Sequence, residues 1–217
     1  MSDVIFISNA RLSFPHLAEP QKQIIEGVER ISYNGELILA PNDPGFAAFM
    51  KRYSELALEK WKDHANAVMQ MIHADRKSRC YGQGSEKVNK NTFQPYDGYA
   101  NNVYISTGSK NRPQMIRPDG TAVDPANTME YQALARKMYG GCRVNAAIKP
   151  WAQMANPAKK YSHGIRCDLV AIQFAGDDTP FGEGVPDVTG LFGAVASAPS
   201  AQAPAAVMPL PPFMLGQ

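Results

Sequence analysis

A chain of 217 residues, 44% apolar, with 22 Lys and Arg against 20 Asp and Glu, is composed like a folded protein of one substantial domain with an appendage, or of two small domains. No window approaches the roughly 18 consecutive apolar residues of a membrane span, and residues 1–6 lack the basic start and apolar core of a signal peptide, so the expected location is cytoplasmic. The net charge of +2 hides a split: residues 1–166 hold all 22 cations and 15 acids, a balance of +7, whereas residues 167–217 hold no cation and five acids, Asp168, Asp177, Asp178, Glu183 and Asp187.

Residues 4–14 alternate, with Val4, Phe6, Ser8, Ala10, Leu12 and Phe14 on one face, which predicts a strand ended by Pro15 and Pro20. An irregular loop is expected to Glu29. Residues 31–40 read as a second strand. Asn34-Gly35 could form a tight hairpin turn there, but Leu37-Ile38-Leu39 looks centrally buried and favours a strand kinked at the glycine. Asp43-Pro44 is a helix start, since the Asp side chain can cap free amides and proline is tolerated in the first turn. Phe46, Met50, Tyr53, Ala57, Trp61, Ala65, Val68 and Ile72 then recur at steps of three and four, predicting one long helix to about Ala74 whose stripe, Trp61 included, is core.

Residues 81–112 follow, interleaving Tyr81, Phe93, Tyr96, Tyr99 and Tyr104 with Lys87, Lys90, Lys110 and Arg112 against only Glu86 and Asp97. Cations can track a phosphate backbone while rings stack on unpaired bases, each stacked base contributing roughly 1–3 kcal/mol with little sequence preference. The competing reading is a surface loop whose tyrosines fold back as lids on the core. A strand is expected over residues 103–107, then turns at Pro113, Pro118 and Pro125. Asn127 with Glu130 forms a capping box for a short helix stopped by Gly140-Gly141. Residues 142–149 alternate, Cys142, Val144, Ala146 and Ile148 inward and Arg143, Asn145, Ala147 and Lys149 outward. Residues 164–174 form the last strand, with a bulge expected near Leu169.

Five or six short strands with an inserted long helix fit a mainly β, OB-fold-like antiparallel Greek-key barrel better than a doubly wound sheet. The expected domains are a body of residues 1–176 and an arm of residues 177–217, acidic and then rich in Ala and Pro, to which no secondary structure is assigned.

Motifs for chemistry are sparse. Cys80, Cys142 and Cys167 form no CxxC pair, and His16, His64, His73 and His163 lack metal-ligand spacing, so no metal or other cofactor is expected. The Gly82-Gln83-Gly84 fragment lacks the Lys-Ser or Lys-Thr of a phosphate cradle, and no catalytic pair of acids stands out. A second basic and aromatic cluster does: Arg143 and Lys149 on one strand face, then Trp151, Lys159, Lys160 and Tyr161 in the loop expected after Pro150.

ARLSFPHLAEP (residues 10–20), Tyr33 with LILAP, GQGSEKVNKNTFQPYDGYANN, YGGCRVNAAIKPWAQ and HGIRCDLVAIQFAGDD occur in an order that resembles the tailed-phage single-stranded DNA-binding protein family. The resemblance covers residues 1 to about 178. It implies an OB fold and a non-enzymatic protein that coats single strands in phage replication, recombination and repair. It also implies a homodimer, and an arm that limits DNA binding and recruits phage or host replication proteins. The expected DNA contacts are Lys87, Lys90, Phe93, Tyr96, Tyr99, Arg112, Arg143, Lys149, Trp151, Lys159, Lys160 and Tyr161. The expected regulatory residues are Asp177, Asp178, Glu183, Asp187 and Phe213. Family members often end in a dense acidic run closed by an aromatic, whereas here the acids stop at Asp187 and Phe213 lies in an Ala/Pro-rich end. A protein-interaction module in which the aromatic loops dock a protein partner is the alternative; a nuclease would need an acid cluster that the sequence lacks.

Overall fold

The computed structural model of the chain describes residues 3–25, 28–159 and 161–182. Among these residues seven strands form one sheet: β1 (Ile5–Ile25), β2 (Val28–Leu39), β3 (Tyr81–Gln83), β4 (Val103–Ser109), β5 (Gln114–Ile116), β6 (Arg143–Gln153) and β7 (Gly164–Gly176). Their order is β3-β4-β2-β1-β6-β7-β5, antiparallel throughout except for β5 beside β7. The sheet rolls on itself to bring β4 against β7, giving the OB-type barrel expected. The short strands β3 and β5 exceed the expected count because three residues carry too little alternation to be read.

The inward residues are the apolar alternates. Ile7, Leu12, Leu37, Ile105, Val144, Ile148, Ile165 and Ile172 are all at or below 1% exposure. Among the described residues three α-helices are inserted: α1 (Pro44–Trp61), α2 (Ala65–Ala74) and α3 (Thr128–Lys137). The Asp43 carboxylate accepts from the Gly45 and Phe46 amides at 2.7 and 3.2 Å, as the capping reading predicts. Phe49, Tyr53, Ala57 and Trp61 bury one stripe of α1 against the barrel. The expected single helix is broken, however, by one turn of 3₁₀ helix over Lys62–His64, where Lys62 takes a positive φ of 47°. The stripe survives the break, since Ala65, Val68 and Ile72 are buried too. Asn127 caps α3, its side chain accepting from Glu130 N at 3.2 Å while its amide donates to the Glu130 carboxylate at 2.9 Å.

The first strand departs most from expectation. Neither Pro15 nor Pro20 ends it, and the segment expected as a loop is the far part of a long β1–β2 hairpin. Proline is tolerated in an inner strand only where the ladder is already interrupted. Here Ser13 pairs with Glu36 but His16 with Asn34, so Phe14 and Pro15 together face Gly35; from His16 to Gln21 the strand takes a longer detour that absorbs Pro20. A further irregularity at Ser8 and Asn9 against β6 shifts the phase, so the alternation does not define one face: Ile7, Ala10 and Leu12 are buried while Phe6 and Phe14 are 64% and 47% exposed. Asn34-Gly35 lies inside β2, both residues paired with β4 and Asn34 also with His16 of β1, so it is a kinked strand and not a hairpin turn. The bulge near Leu169 is present, since Ala147 pairs with Ala171 but Ile148 with Leu169.

Candidate nucleic-acid interface

The segment of residues 84–102 lies across the outer face of β2 and β4. Gly84 starts it at a close approach: a Cβ there would sit 1.7 Å from the Tyr99 carbonyl oxygen. The glycines of the Gly82-Gln83-Gly84 fragment therefore serve packing, Gly82 lying under the Tyr104 ring end. Tyr99 is fully buried with Tyr104 and Ile38 in a small cluster of its own, with Tyr96 and Phe181 packed alongside. Its hydroxyl donates to Glu36, which also accepts from the Lys87 ammonium and, at 2.8 Å, from Ser106 Oγ. Burial first, then the Glu36 carboxylate, pushes the Tyr99 phenol well above its ordinary range.

This corrects one expectation outright: Tyr99 is a lid, with no ring face open to a base. Lys87 is likewise half-buried, paired with Glu36 and 4.7 Å from the Tyr104 ring centroid. The tip of the segment behaves otherwise. Val88 bridges Pro95, and between them Lys90 and Phe93 project, Phe93 with 78% exposure and a positive φ of 56°. Tyr96 is half-buried, its ring edge-on to Phe14 at 5.4 Å.

Beside this loop the chain returns from β7. Arg143 binds Asp178 at 2.6 Å and Arg11 approaches the same carboxylate at 3.5 Å. The Thr179 amide and then Arg143 hold that carboxyl below its ordinary range. Tyr139 donates to Asp177 at 3.1 Å, and the Arg11 guanidinium lies 4.3 Å over the Phe181 ring. Thus Asp178, expected as a regulatory residue, stands on a cation expected to contact DNA, Arg143, and on one not singled out, Arg11, while Asp177, also expected as regulatory, meets Tyr139.

The second cluster is at the other end of β6. Trp151 is part of that strand, not of a following loop, because pairing with β1 stops at Ile148 and Pro150 leaves no ladder bond unmade on that side. Its indole N–H donates to Asp168 at 2.8 Å, and the ring is 37% exposed. With Lys149, Arg52, Lys60 and Asp3 it lines a depression of about 220 Å³, where Lys149 is 3.9 Å from Asp3. Tyr161 is 37% exposed with Arg30 over its ring at 5.3 Å. Arg112 stands apart, over Tyr131 at 4.6 Å. Lys159 falls in the 3₁₀ turn Pro157–Lys159, while Lys160, Glu183, Asp187 and Phe213 lie outside the described residues.

Sequence reasoning missed Arg11, Phe14 and Arg30. A proline directly after an aromatic inside an alternating run was the available signal for Phe14, since it demands a bulge. Nothing local marks Arg11 or Arg30, whose partners lie far away in sequence. Among the described residues no three His, Cys, Asp or Glu side chains gather as a metal site, and no helix is long and apolar enough to cross a membrane.

The sequence profile of the family described as Enterobacter phage Enc34, ssDNA-binding protein, matches residues 3–197. Protein p50 of Acyrthosiphon pisum secondary endosymbiont phage 1 is 27% identical over 186 residues, which are 85% of this chain and 90% of that protein. Of solved structures, the single-stranded DNA-binding protein from bacteriophage Enc34 in complex with ssDNA aligns with a TM-score of 0.62 at 22% identity, over 83% of this chain and 90% of that one. The same phage protein in another structure aligns at 0.58 and 23%, over 87% and 89%. At these identities the structural likeness concerns the fold.

Proposed function

The chain belongs to the family of the Enterobacter phage Enc34 single-stranded DNA-binding protein, and from that premise we propose that it binds single-stranded DNA with little sequence preference and coats it during phage replication, recombination and repair. The near-complete family match carries this reading. The surface supports it: exposed or half-exposed rings at Phe14, Phe93, Tyr96, Trp151 and Tyr161 alternate with cations at Arg11, Lys90, Arg143 and Lys149 around an OB-type sheet. Loops flanking such a barrel are where strands of nucleic acid bind. Of the residues expected from sequence, Lys90, Phe93, Tyr96, Arg143, Lys149, Trp151 and Tyr161 are proposed as direct contacts, together with Lys159 and Lys160. Tyr99 and Lys87 act by holding the loop, and Arg112 is an outlying phosphate contact.

The protein works in the host cytoplasm, without catalysis and without a cofactor. If about six cations each neutralise a phosphate, the logarithm of affinity for oligo-dT falls against that of salt with a slope of roughly −4, at about −0.7 per contact on single strands. Anisotropy titration at several salt concentrations measures this; no binding at low salt, or a slope near zero, refutes the reading. The same titration with duplex DNA and RNA sets the preference. Labelled strands incubated with magnesium or manganese are expected to stay intact.

A further inference from the structure

Phe14 is held where its chemistry and its backbone would not put it by themselves. It is a large aromatic with 47% of its surface exposed and a positive φ of 47°. A bulky residue in that region is an outlier, and a residue preceding proline is normally extended. Such strain persists only where surrounding structure enforces it. Here the enforcing device is the bulge in which Phe14 and Pro15 oppose Gly35; bulges re-aim side chains. Two tyrosines then brace the ring, Tyr96 edge-on at 5.4 Å and Tyr99 at 6.3 Å.

Next to this ring lies a depression of about 330 Å³, lined by His16, Gln21, Asn34, Glu36, Ser106 and Thr107 besides Phe14 itself. The size is at the small end of the roughly 300–1,000 Å³ typical of small-molecule sites. Its wall joins apolar surface to several polar side chains. The Asn34 amide N–H donates to the Gln21 side-chain oxygen at 2.9 Å, and to Ser32 O at 3.3 Å. These bonds leave the pair with the Asn34 carbonyl oxygen as an acceptor and the Gln21 amide nitrogen as a donor for a planar partner.

We infer that this depression is a nucleobase subsite: one base of the bound strand stacks on Phe14 and sets its edge against the Asn34–Gln21 pair. The inference deepens the single-stranded DNA reading and rests on it. Because each of the four bases carries a neighbouring donor and acceptor on its pairing edge, one acceptor and one donor on the protein suit any of them, as a sequence-tolerant protein requires.

The test uses the full chain with oligo-dT carrying single 5-iodo-deoxyuridine substitutions, which crosslink under ultraviolet light to rings stacked on them. Phe14 is expected among the adducted residues identified by mass spectrometry. Adducts confined to other rings, such as Phe93 or Trp151, overturn the subsite. In parallel, Phe14→Leu keeps an apolar side chain but removes the stacking face, and should weaken oligo-dT binding about tenfold, within the range for one stacked base. Phe14→Tyr should bind within about twofold of wild type. Unchanged affinity of a folded Phe14→Leu protein overturns the subsite while the broader reading stands. Failure of the wild-type chain to bind overturns both. Should Phe14→Leu not fold, the crosslink decides.

Discussion

At the scale of single residues, Glu36 does most to shape the surface. Its carboxylate sits mid-strand on β2, only 13% exposed, and accepts from Tyr99 and Lys87 of the loop and from Ser106 of β4. Charge-assisted bonds of this kind are worth about 1.5–3 kcal/mol each when a partner is removed. Glu36→Gln keeps the shape and removes the charge, leaving the Lys87 ammonium without its counter-ion. We expect a loss of about 1–3 kcal/mol in urea unfolding and faster proteolysis within residues 88–95; an unchanged midpoint would show that the loop is held by packing alone. The tyrosines add a pH dependence. Burial raises the phenols of Tyr53, Tyr81, Tyr99 and Tyr104, and pushes Tyr131 up to about 12. A group with a raised folded pKa contributes stability in full below its unfolded value, here about 10, and loses it as pH rises toward the folded value. The protein should therefore destabilise progressively above about pH 10. Phenolate absorbance should lag that of free tyrosine until the chain unfolds, and Tyr131→Phe should soften the loss between pH 10 and 12.

At the scale of elements, two devices build the candidate interface: the bulged strand β1 and the glycine-started loop on β2 and β4. The loop depends on Gly84, where an added Cβ meets the Tyr99 and Asn102 carbonyl groups within 3 Å, atoms of backbone that cannot step aside. Overpacking of this sort costs typically 1–3 kcal/mol. Gly84→Ala should accordingly lower thermal stability and lift the loop, exposing Tyr99. Increased quenching of tyrosine fluorescence by acrylamide, alongside a lower Tm, is the expected result. A native Tm would mean that the loop has room that the backbone positions deny it. The glycines were visible in the sequence, but their purpose was not: a Gly-x-Gly fragment reads equally as a phosphate cradle or as a close contact, and the deciding atoms are 15 and 18 residues further along.

At the scale of the whole molecule, the charge split acquires a location. The arm was expected to limit DNA binding; in the described residues Asp178 lies against Arg11 and Arg143, with Phe181 under the Arg11 guanidinium. A phosphate arriving at those arginines must displace a carboxylate, and a tethered competitor acts at a millimolar effective concentration. Truncation after Gly176 should tighten single-stranded DNA binding, with a gain that shrinks as salt rises, because exposed charges are screened beyond about 10 Å at 0.1 M. Asp178→Asn should reproduce part of the gain, no more than roughly fivefold for each arginine it releases, since partly exposed pairs are worth about 0.2–1 kcal/mol each. Equal affinity of truncated and full-length chains at low ionic strength would leave the segment a tether for partners.

Sequence periodicity by itself determined the barrel strands β2, β4, β6 and β7, the capped starts of α1 and α3, the core stripe through Trp61 and Ile72, and the polarity of charge along the chain. Each of these rests on interactions within a few residues or on a repeat of two or 3.6, which local order records. Only the tertiary structure decided that β1 passes through two prolines, that Tyr99 is a lid while Phe14 stands exposed, and that Arg11 joins Arg143 beneath Asp178. Those outcomes depend on which residue a bulge sets opposite Gly35 and on contacts between positions more than 80 or 160 apart. An aromatic in a strand is equally suited to core and surface by composition. Register, which the sequence encodes only through the packing of every other strand, makes the choice.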